Sequence, residues 1–333
     1  MTTDTTTTTR ATTRRTPTGA GPDSETREIE IAWAVLAALF RFRIATAEQL
    51  RQLHAPDRST EKVRGRLRRL RDEGLVTELV LPQSGRAKGR FLTEHGDRIA
   101  AAFPELAEVP APKLPGDATD ATAFKYTMWH QLAVVRTHLA FLADARARGD
   151  GYGPFDFIPE VTHRFAEGLD GSVRPDGLLY YGVREPDGGT VRLRAFVEVD
   201  RGTMGAERLG SKLNTYARYW LTKMLTAGMR AGALGAEQGG RVPLWERRYV
   251  MFPRLLFVLT GTGRVGFVNR VDELQRHAEE RHVAKMLQTV PAAAASLEDL
   301  QQHGLNGAVW YPLPDRQAEP LGFNELTTAG RAG

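Results

Sequence analysis

Two apolar runs between Arg174 and Lys212 begin or end in carboxylates, and no other stretch of the chain restricts its fold as strongly. Arg174-Pro175-Asp176-Gly177 opens Leu178 to Val183, and Val191 to Val199 closes in Glu198-Val199-Asp200-Arg201. Apolar runs of this length, rich in β-branched and aromatic residues and bounded by Gly and Pro, read as strands. Residues two apart on a strand share a face, so Glu198 and Asp200 point one way while Val197 and Val199 point the other. Pro175 fixes the backbone and removes a donor just before the first strand, and an antiparallel neighbour would bring Asp176 opposite Glu198. Carboxylates that close repel one another unless a cation offsets them. Asp176, Glu198 and Asp200 are therefore the candidate metal ligands, and magnesium is the expected ion, because it keeps several waters and can activate one against a phosphodiester.

The 333 residues contain no cysteine, which excludes disulfides and thiolate metal sites and leaves Asp, Glu and His as side-chain ligands. The net charge of +5 comes almost wholly from Arg, since Lys occurs seven times. Arg is the residue suited to bidentate phosphate contacts. No run of 18 apolar residues occurs and the N-terminus is a polar Thr-rich tract. Neither a membrane span nor a signal peptide is expected, and the cytoplasm is the expected location.

Residues 1–26 lack apolar side chains to bury and read as a disordered tail. From Arg27 a helical pattern places Ile29, Trp33, Leu36 and Phe40 on one face. Thr46 caps a second helix, and a third begins near Ser59 or Thr60 with Val63, Leu67 and Leu70 as its buried stripe. Between Arg58 and Arg71 lie seven basic residues and one acid. Lys62, Arg64, Arg66, Arg68, Arg69 and Arg71 are the candidate DNA contacts on that helix. Gly74 ends it, and strands over 75–81 and 90–93 enclose a turn carrying Arg86 and Lys88. Three helices and a two-stranded hairpin make a winged helix over 27–103, in which the third helix enters the major groove and the hairpin tip reaches the neighbouring backbone. The bland alternative is that the basic face is only a solvated surface.

Pro104, Pro110, Pro112 and Pro115 mark residues 104–120 as a linker. A second domain over 121–315 follows, with a tail over 316–333. Its order is a long helix over 123–148, strands at 155–161, 178–183 and 191–199, a helix over 205–225, and a strand at 254–260. Further helices are expected over 272–288 and 297–302, and a short late strand over 308–311. On the helix after Thr203, Leu209, Leu213, Tyr216 and Trp220 form the sheet-facing stripe, with Lys212 on its margin, where it can lean toward Glu198. Lys223 lies nearly three turns on. The competing reading of Glu198 and Asp200 is a structural ion network with Arg201, Arg208 and Lys212. Glu160 reads as a solvent-facing strand residue, and His130 and His163 as hydrogen-bonded surface groups, with substrate or metal contact as the alternative. Thr260-Gly261-Thr262-Gly263-Arg264 lacks the ending of a phosphate loop and reads as a turn.

The order helix, three strands, helix, strand, with Pro175-Asp176 before one strand and Glu198 at the end of the next, resembles the PD-(D/E)xK nuclease superfamily. That resemblance implies an α/β (α+β) architecture, a winged-helix domain followed by a restriction-endonuclease-like αβββαβ domain, with Asp176 and Glu198 binding metal. The position of the family's lysine holds Asp200, so the resemblance leaves Lys212 to supply the charge from the following helix. Asp176, Glu198, Asp200 and Lys212 are the catalytic candidates. The winged helix, the Pro-rich joint, Phe196 to Thr203, Lys212-Leu213 and Tyr216 to Tyr219 together resemble the replication-relaxation family. That resemblance implies binding of double-stranded DNA, at a plasmid origin or transfer region, in plasmid or mobile-element replication and relaxation. Two functions follow: a magnesium-dependent DNA nuclease or nickase, or a non-catalytic DNA-binding regulator on a degenerate nuclease-like scaffold. Winged helices often act as dimers, so a homodimer is the oligomer considered.

Overall fold

A computed structural model describes residues 24–81, 87–106, 109, 121–167, 171–225 and 241–328. The N-terminal part comprises α1 (Ser24–Phe42), β1 (Ala45–Thr46), α2 (Ala47–His54), α3 (Thr60–Asp72), β2 (Val76–Val80), β3 (Lys88–Leu92) and α4 (Glu94–Ala101). Thr46 caps α2 in a reciprocal box with Gln49, and Ser59 caps α3, as these residues predict. Val63, Leu67 and Leu70 are the buried stripe of α3. The hairpin β2–β3 gains a third strand, because β1 pairs with β3 through Ala45 and Arg90. The expected two-stranded hairpin is thus a three-stranded sheet.

The stripe expected on α1 is half right. Leu36 and Phe40 are buried, but Ile29 and Trp33 are 48% and 49% exposed, and Trp33 stacks on Phe103 at 4.3 Å. The C-terminal half of α1, from Val35 to Phe42, is buried on every side, Arg41 included. It is enclosed because it packs at once against its own helical neighbours and against the following sheet.

The part of the chain that carries that sheet comprises α5 (Ala121–Arg148), β4 (Phe157–Pro159), β5 (His163–Arg164), β6 (Ser172–Val173), β7 (Gly177–Arg184), β8 (Thr190–Asp200), α6 (Ala206–Leu221), β9 (Lys223–Leu225), β10 (Arg241–Pro243) and β11 (Arg254–Leu259), with β5–β6 and β9–β10 as separate two-stranded pairs. α7 (Arg264–Ala278), α8 (Arg281–Leu287), β12 (Ala292–Ser296), α9 (Leu297–His303), β13 (Tyr311–Pro312) and α10 (Phe323–Thr328) complete it. The six-stranded sheet has the order β13-β12-β11-β8-β7-β4. β4, β7 and β8 run antiparallel as a meander, α6 crosses over to β11 parallel to β8, and β12 continues parallel. Within the six-stranded sheet the expected order of helix, three strands, helix and strand is present, with β5–β6 and β9–β10 inserted along the chain.

Three local expectations shift. α6 ends at Leu221, so Lys223 lies in β9 and not on the helix. The helix expected over 272–288 begins at Arg264 and breaks at Glu279-Glu280 into α7 and α8. Ala292 to Ala295, which carry no strand signal, form β12, buried on both faces. Alanine has weak β propensity, but its small side chain lets layers close over a central strand, and packing overrides propensity there.

The core divides at the sheet. On the α5 side Val197, Val199, Leu256 and Val258 join side chains that run from Ala32 in α1 to Leu326 in α10. On the other side Phe196, Leu255 and Phe257 meet α6, α7 and α8. The N-terminal helices therefore share a core with the sheet. Arg41 Nη2 donates to the carbonyls of Phe155 and Phe157 at 2.8 Å, Gln49 to that of Leu132 at 3.0 Å, and Arg146 to that of Leu53 at 2.8 Å. Among the described residues no helix is long and apolar enough to cross a membrane.

Candidate functional site

Register assembles the acidic site. Gly177 pairs with Val197 in the β7–β8 ladder, so Asp176, one residue before, stands opposite Glu198 as the antiparallel arrangement predicts. The Val199 N–H donates to Asp176 Oδ2 at 2.7 Å. Gly177 is required by close approach: a Cβ there would lie 2.0 Å from the Phe157 ring. Glu198 and Asp200 occupy the α6-facing side of β8, and Val197 and Val199 the α5-facing side.

Lys212 leans onto this site from α6. Its ammonium donates to Glu198 Oε2 at 2.5 Å, and Tyr216, one turn later, donates to Oε1 at 2.6 Å. From α5, His130 Nε2 sits 2.9 Å from Asp176 Oδ1. Asp200 takes a different course. Its oxygens receive Arg270 Nε of α7 at 2.7 Å and the Gly202 N–H at 3.2 Å. The ion network expected from Arg201, Arg208 and Lys212 is thus split: Lys212 serves Glu198, and Arg270 serves Asp200.

Burial pushes the Glu198 carboxyl up, with Asp176 adding to the rise and Lys212 and Tyr216 opposing it. Burial also works to raise Asp176, but His130, Lys212 and the Val199 N–H outweigh it and hold that carboxyl below its ordinary range. For His130, burial lowers the pKa and the Asp176 hydrogen bond raises it; the carboxylate wins. Lys212 is likewise lowered by burial and raised further by Glu198 and Asp176, so it stays charged. Two carboxylates of unequal proton affinity share one ammonium.

Carboxylate oxygens are the donors that magnesium takes, and β7 and β8 bring those of Asp176 and Glu198 opposite each other. Asp176 and Glu198 supply hard oxygens of the kind such an ion accepts while keeping most of its waters. All three carboxylates have both oxygens engaged, Asp176 by His130 and the Val199 N–H, Glu198 by Lys212 and Tyr216, and Asp200 by Arg270 and the Gly202 N–H, so an ion would have to take the place of one of these donors. Among the described residues no three of His, Asp and Glu converge as a metal cluster.

The other candidate residues fall into place around this site. Glu160, expected to face solvent, is instead held by Arg43, Arg174 and Gln131, and it and Arg43 both adopt positive φ. His163 is buried and hydrogen-bonds Tyr249 Oη at 2.5 Å and the Val161 carbonyl at 3.0 Å, which makes it a core residue. Arg270 and Tyr216 carried no signal of their own in the sequence; Tyr216 read only as packing. Thr260 to Gly263 form a loop before α7, as expected.

The basic face of α3 is exposed at Lys62, Arg64, Arg68, Arg69 and Arg71, with Arg66 half-buried. It has two sides. Glu61 lies 3.6 Å from Arg64 and 3.3 Å from Arg68, while Glu78 on β2 receives Arg71 at 3.0 Å, Arg90 at 3.2 Å and Lys88. Lys62, Arg66 and Arg69, one turn apart, line a cavity of about 410 Å³ together with Arg58 and Ile31 of α1. Arg86 lies outside the described residues.

A mixed α/β chain with a basic surface helix and a buried acid-and-lysine site defines the class. The chain belongs to the replication-relaxation family, which it matches over residues 36–231, a span that takes in α3, Asp176, Glu198, Asp200 and Lys212. No curated protein matches the chain, and no solved structure does.

Proposed function

We propose that this chain binds duplex DNA through α3, as a DNA-binding protein of plasmid or mobile-element replication and relaxation. In this reading α1, α2, α3 and the β2–β3 hairpin are a winged helix whose third helix enters the major groove. The carrying observation is the α3 surface, where six Arg and Lys are met by Glu61 and Asp72 of the same helix and by Glu78 of β2. Counterion release makes such binding steeply salt-dependent. The Arg64→Ala/Arg66→Ala/Arg68→Ala protein should bind duplex DNA at least about tenfold more weakly, with a salt slope reduced by about 0.9 for each phosphate it no longer neutralises. Fluorescence anisotropy across a salt series measures both, and an unchanged slope removes α3 from the interface. A plasmid origin or transfer region is the natural duplex, and a homodimer would place two α3 helices on a pseudo-palindromic site.

A second reading, cleavage of that DNA, is favoured by Lys212 beside Glu198 and Asp176 on a helix, meander, helix and strand order like that of PD-(D/E)xK nucleases. Asp176 and Glu198 would hold magnesium, and the chemistry that the ion supplies in such a place is Lewis-acid polarisation of a phosphoryl oxygen. His130 orients the Asp176 carboxylate. Lys212 then carries the positive charge that faces a scissile phosphate, in place of the lysine that Asp200 displaces from the strand. Supercoiled plasmid incubated with magnesium or manganese should be nicked by the wild-type protein, and Asp176→Ala and Glu198→Ala should each slow nicking by at least about 100-fold. Nicking retained in both variants, or none by the wild type on several plasmids, leaves the non-catalytic DNA-binding regulator.

A further inference from the structure

At the far end of β8 from the carboxylates, the same sheet face turns from acidic to basic. Arg192 and Arg194 are alternate residues on that face, opposite Gly182 and Tyr180 of β7. They line a cavity of about 610 Å³ with Tyr180, Arg254, Val250 and Met251. Val250 and Met251 are 90% and 57% exposed at its rim. The Arg194 guanidinium lies over the Tyr180 ring at 5.4 Å and within 6.0 Å of the Tyr249 ring, contacts that order its plane without neutralising its charge. Among the described residues neither Arg192 nor Arg194 has a carboxylate partner. Asp156, the acid in the same cavity, accepts instead from the Gly153 N–H at 2.8 Å. Gly182 closes the floor beside Arg192: the Gly151 backbone pairs with it, and a Cβ there would lie 2.9 Å from Thr190 Cγ2 and 3.2 Å from the Gly151 carbonyl oxygen.

Unpaired guanidiniums beside an aromatic ring and an apolar rim are the complement of a phosphate joined to a flat base. We infer that this groove is a binding site for single-stranded nucleic acid, separate from the α3 surface and from the Asp176 site. Alternate strand residues are about 6.6 Å apart, which suits two successive phosphates of an extended strand, and the ordered Arg194 and Tyr180 planes suit stacking of a base. A cavity of this size holds one or two nucleotides and is too small for a duplex. The inference does not depend on α3 contacting DNA or on cleavage.

The test uses the full chain and a labelled oligothymidylate, followed by anisotropy over a salt series. Arg192→Glu/Arg194→Glu should bind the single strand at least about tenfold more weakly, and the milder Arg192→Gln/Arg194→Gln should lower the salt slope by about 0.7 for each phosphate left without its guanidinium. Both variants should bind duplex DNA within about twofold of wild type if the duplex site is elsewhere. The α3 variant should show the reverse pattern, weak on duplex and unchanged on the single strand. Single-strand affinity that survives both groove variants overturns the proposal, and so does an equal weakening on single strand and duplex. Competition by thymidine monophosphate as effective as that by the oligonucleotide would also overturn it, because the ligand would then be a free nucleotide. Circular dichroism and melting close to wild type show that the variants are folded, as the exposed Arg192 and half-buried Arg194 on a hairpin allow.

Discussion

Replacing Lys212 with methionine should destabilise the protein by about 3 kcal/mol near neutral pH, since removing one partner of a buried pair strands the other charge. Glu198 is 4% exposed and would keep only the Tyr216 hydroxyl, while Asp176 would lose a neighbouring cation. The loss should depend on pH in a definite sense. Without the ammonium, burial and Asp176 raise the Glu198 carboxyl further above its unfolded value of about 4.3. A carboxyl raised on folding binds more protons in the folded state than in the unfolded one. Its contribution is therefore intact below the unfolded pKa and is lost as pH rises through the folded pKa. The deficit relative to wild type should be small at about pH 4 and full at about pH 8. Urea unfolding at both pH values measures it. A deficit independent of pH would mean that Lys212 contributes through its aliphatic stem alone. The Lys212→Met/Glu198→Gln double variant should recover most of the loss, because no buried charge then remains unpaired on β8 at that position.

Arg41→Met should cost about 2 kcal/mol for a different reason: the buried carbonyl of Phe157 and the half-buried one of Phe155 would lose their donor. Burial already pushes the Arg41 guanidinium down to about 10, so its charge is held at some cost and the two hydrogen bonds are what it provides. Arg41 is the polar link between α1 and β4, and Phe42 packs against His138 and Phe157 around it. Unfolding followed by tryptophan fluorescence and by far-ultraviolet circular dichroism should shift together, as expected when the N-terminal helices and the sheet unfold cooperatively. A shift below about 0.5 kcal/mol would show that the carbonyls are hydrated when the side chain is removed. Two separated transitions would show that the N-terminal helices melt independently of the sheet.

Much of the acidic site was legible because its parts are close in sequence or governed by simple periodicities. The alternation of β8 placed Glu198 and Asp200 on one face, and the 100° step of α6 placed Lys212 on the margin that reaches Glu198. The caps at Thr46 and Ser59 and the stripe of α3 were equally local. The strand at Ala292 to Ala295 was not, since nothing in four alanines signals a strand until layers close over it. Ile29 and Trp33 fit a helical stripe yet face solvent, because the surface that α1 buries is chosen by partners distant in the chain.

What the amino-acid order determined by itself was most of the helices and the strands that carry the acidic site, the face of β8 and α6 on which its charges lie, and the basic character of α3. Periodicity and capping act over a few residues, so they can be read without knowing the fold. Only the tertiary structure decided which charge answers which. Arg270, 70 residues beyond Asp200 and outside every local pattern, engages that carboxylate, and so leaves Asp176 and Glu198 to share Lys212 and His130. A buried carboxylate takes whichever donor the packing delivers within hydrogen-bond reach, and that distance is set by the crossing of α7 and α5 over the sheet, not by separation along the chain.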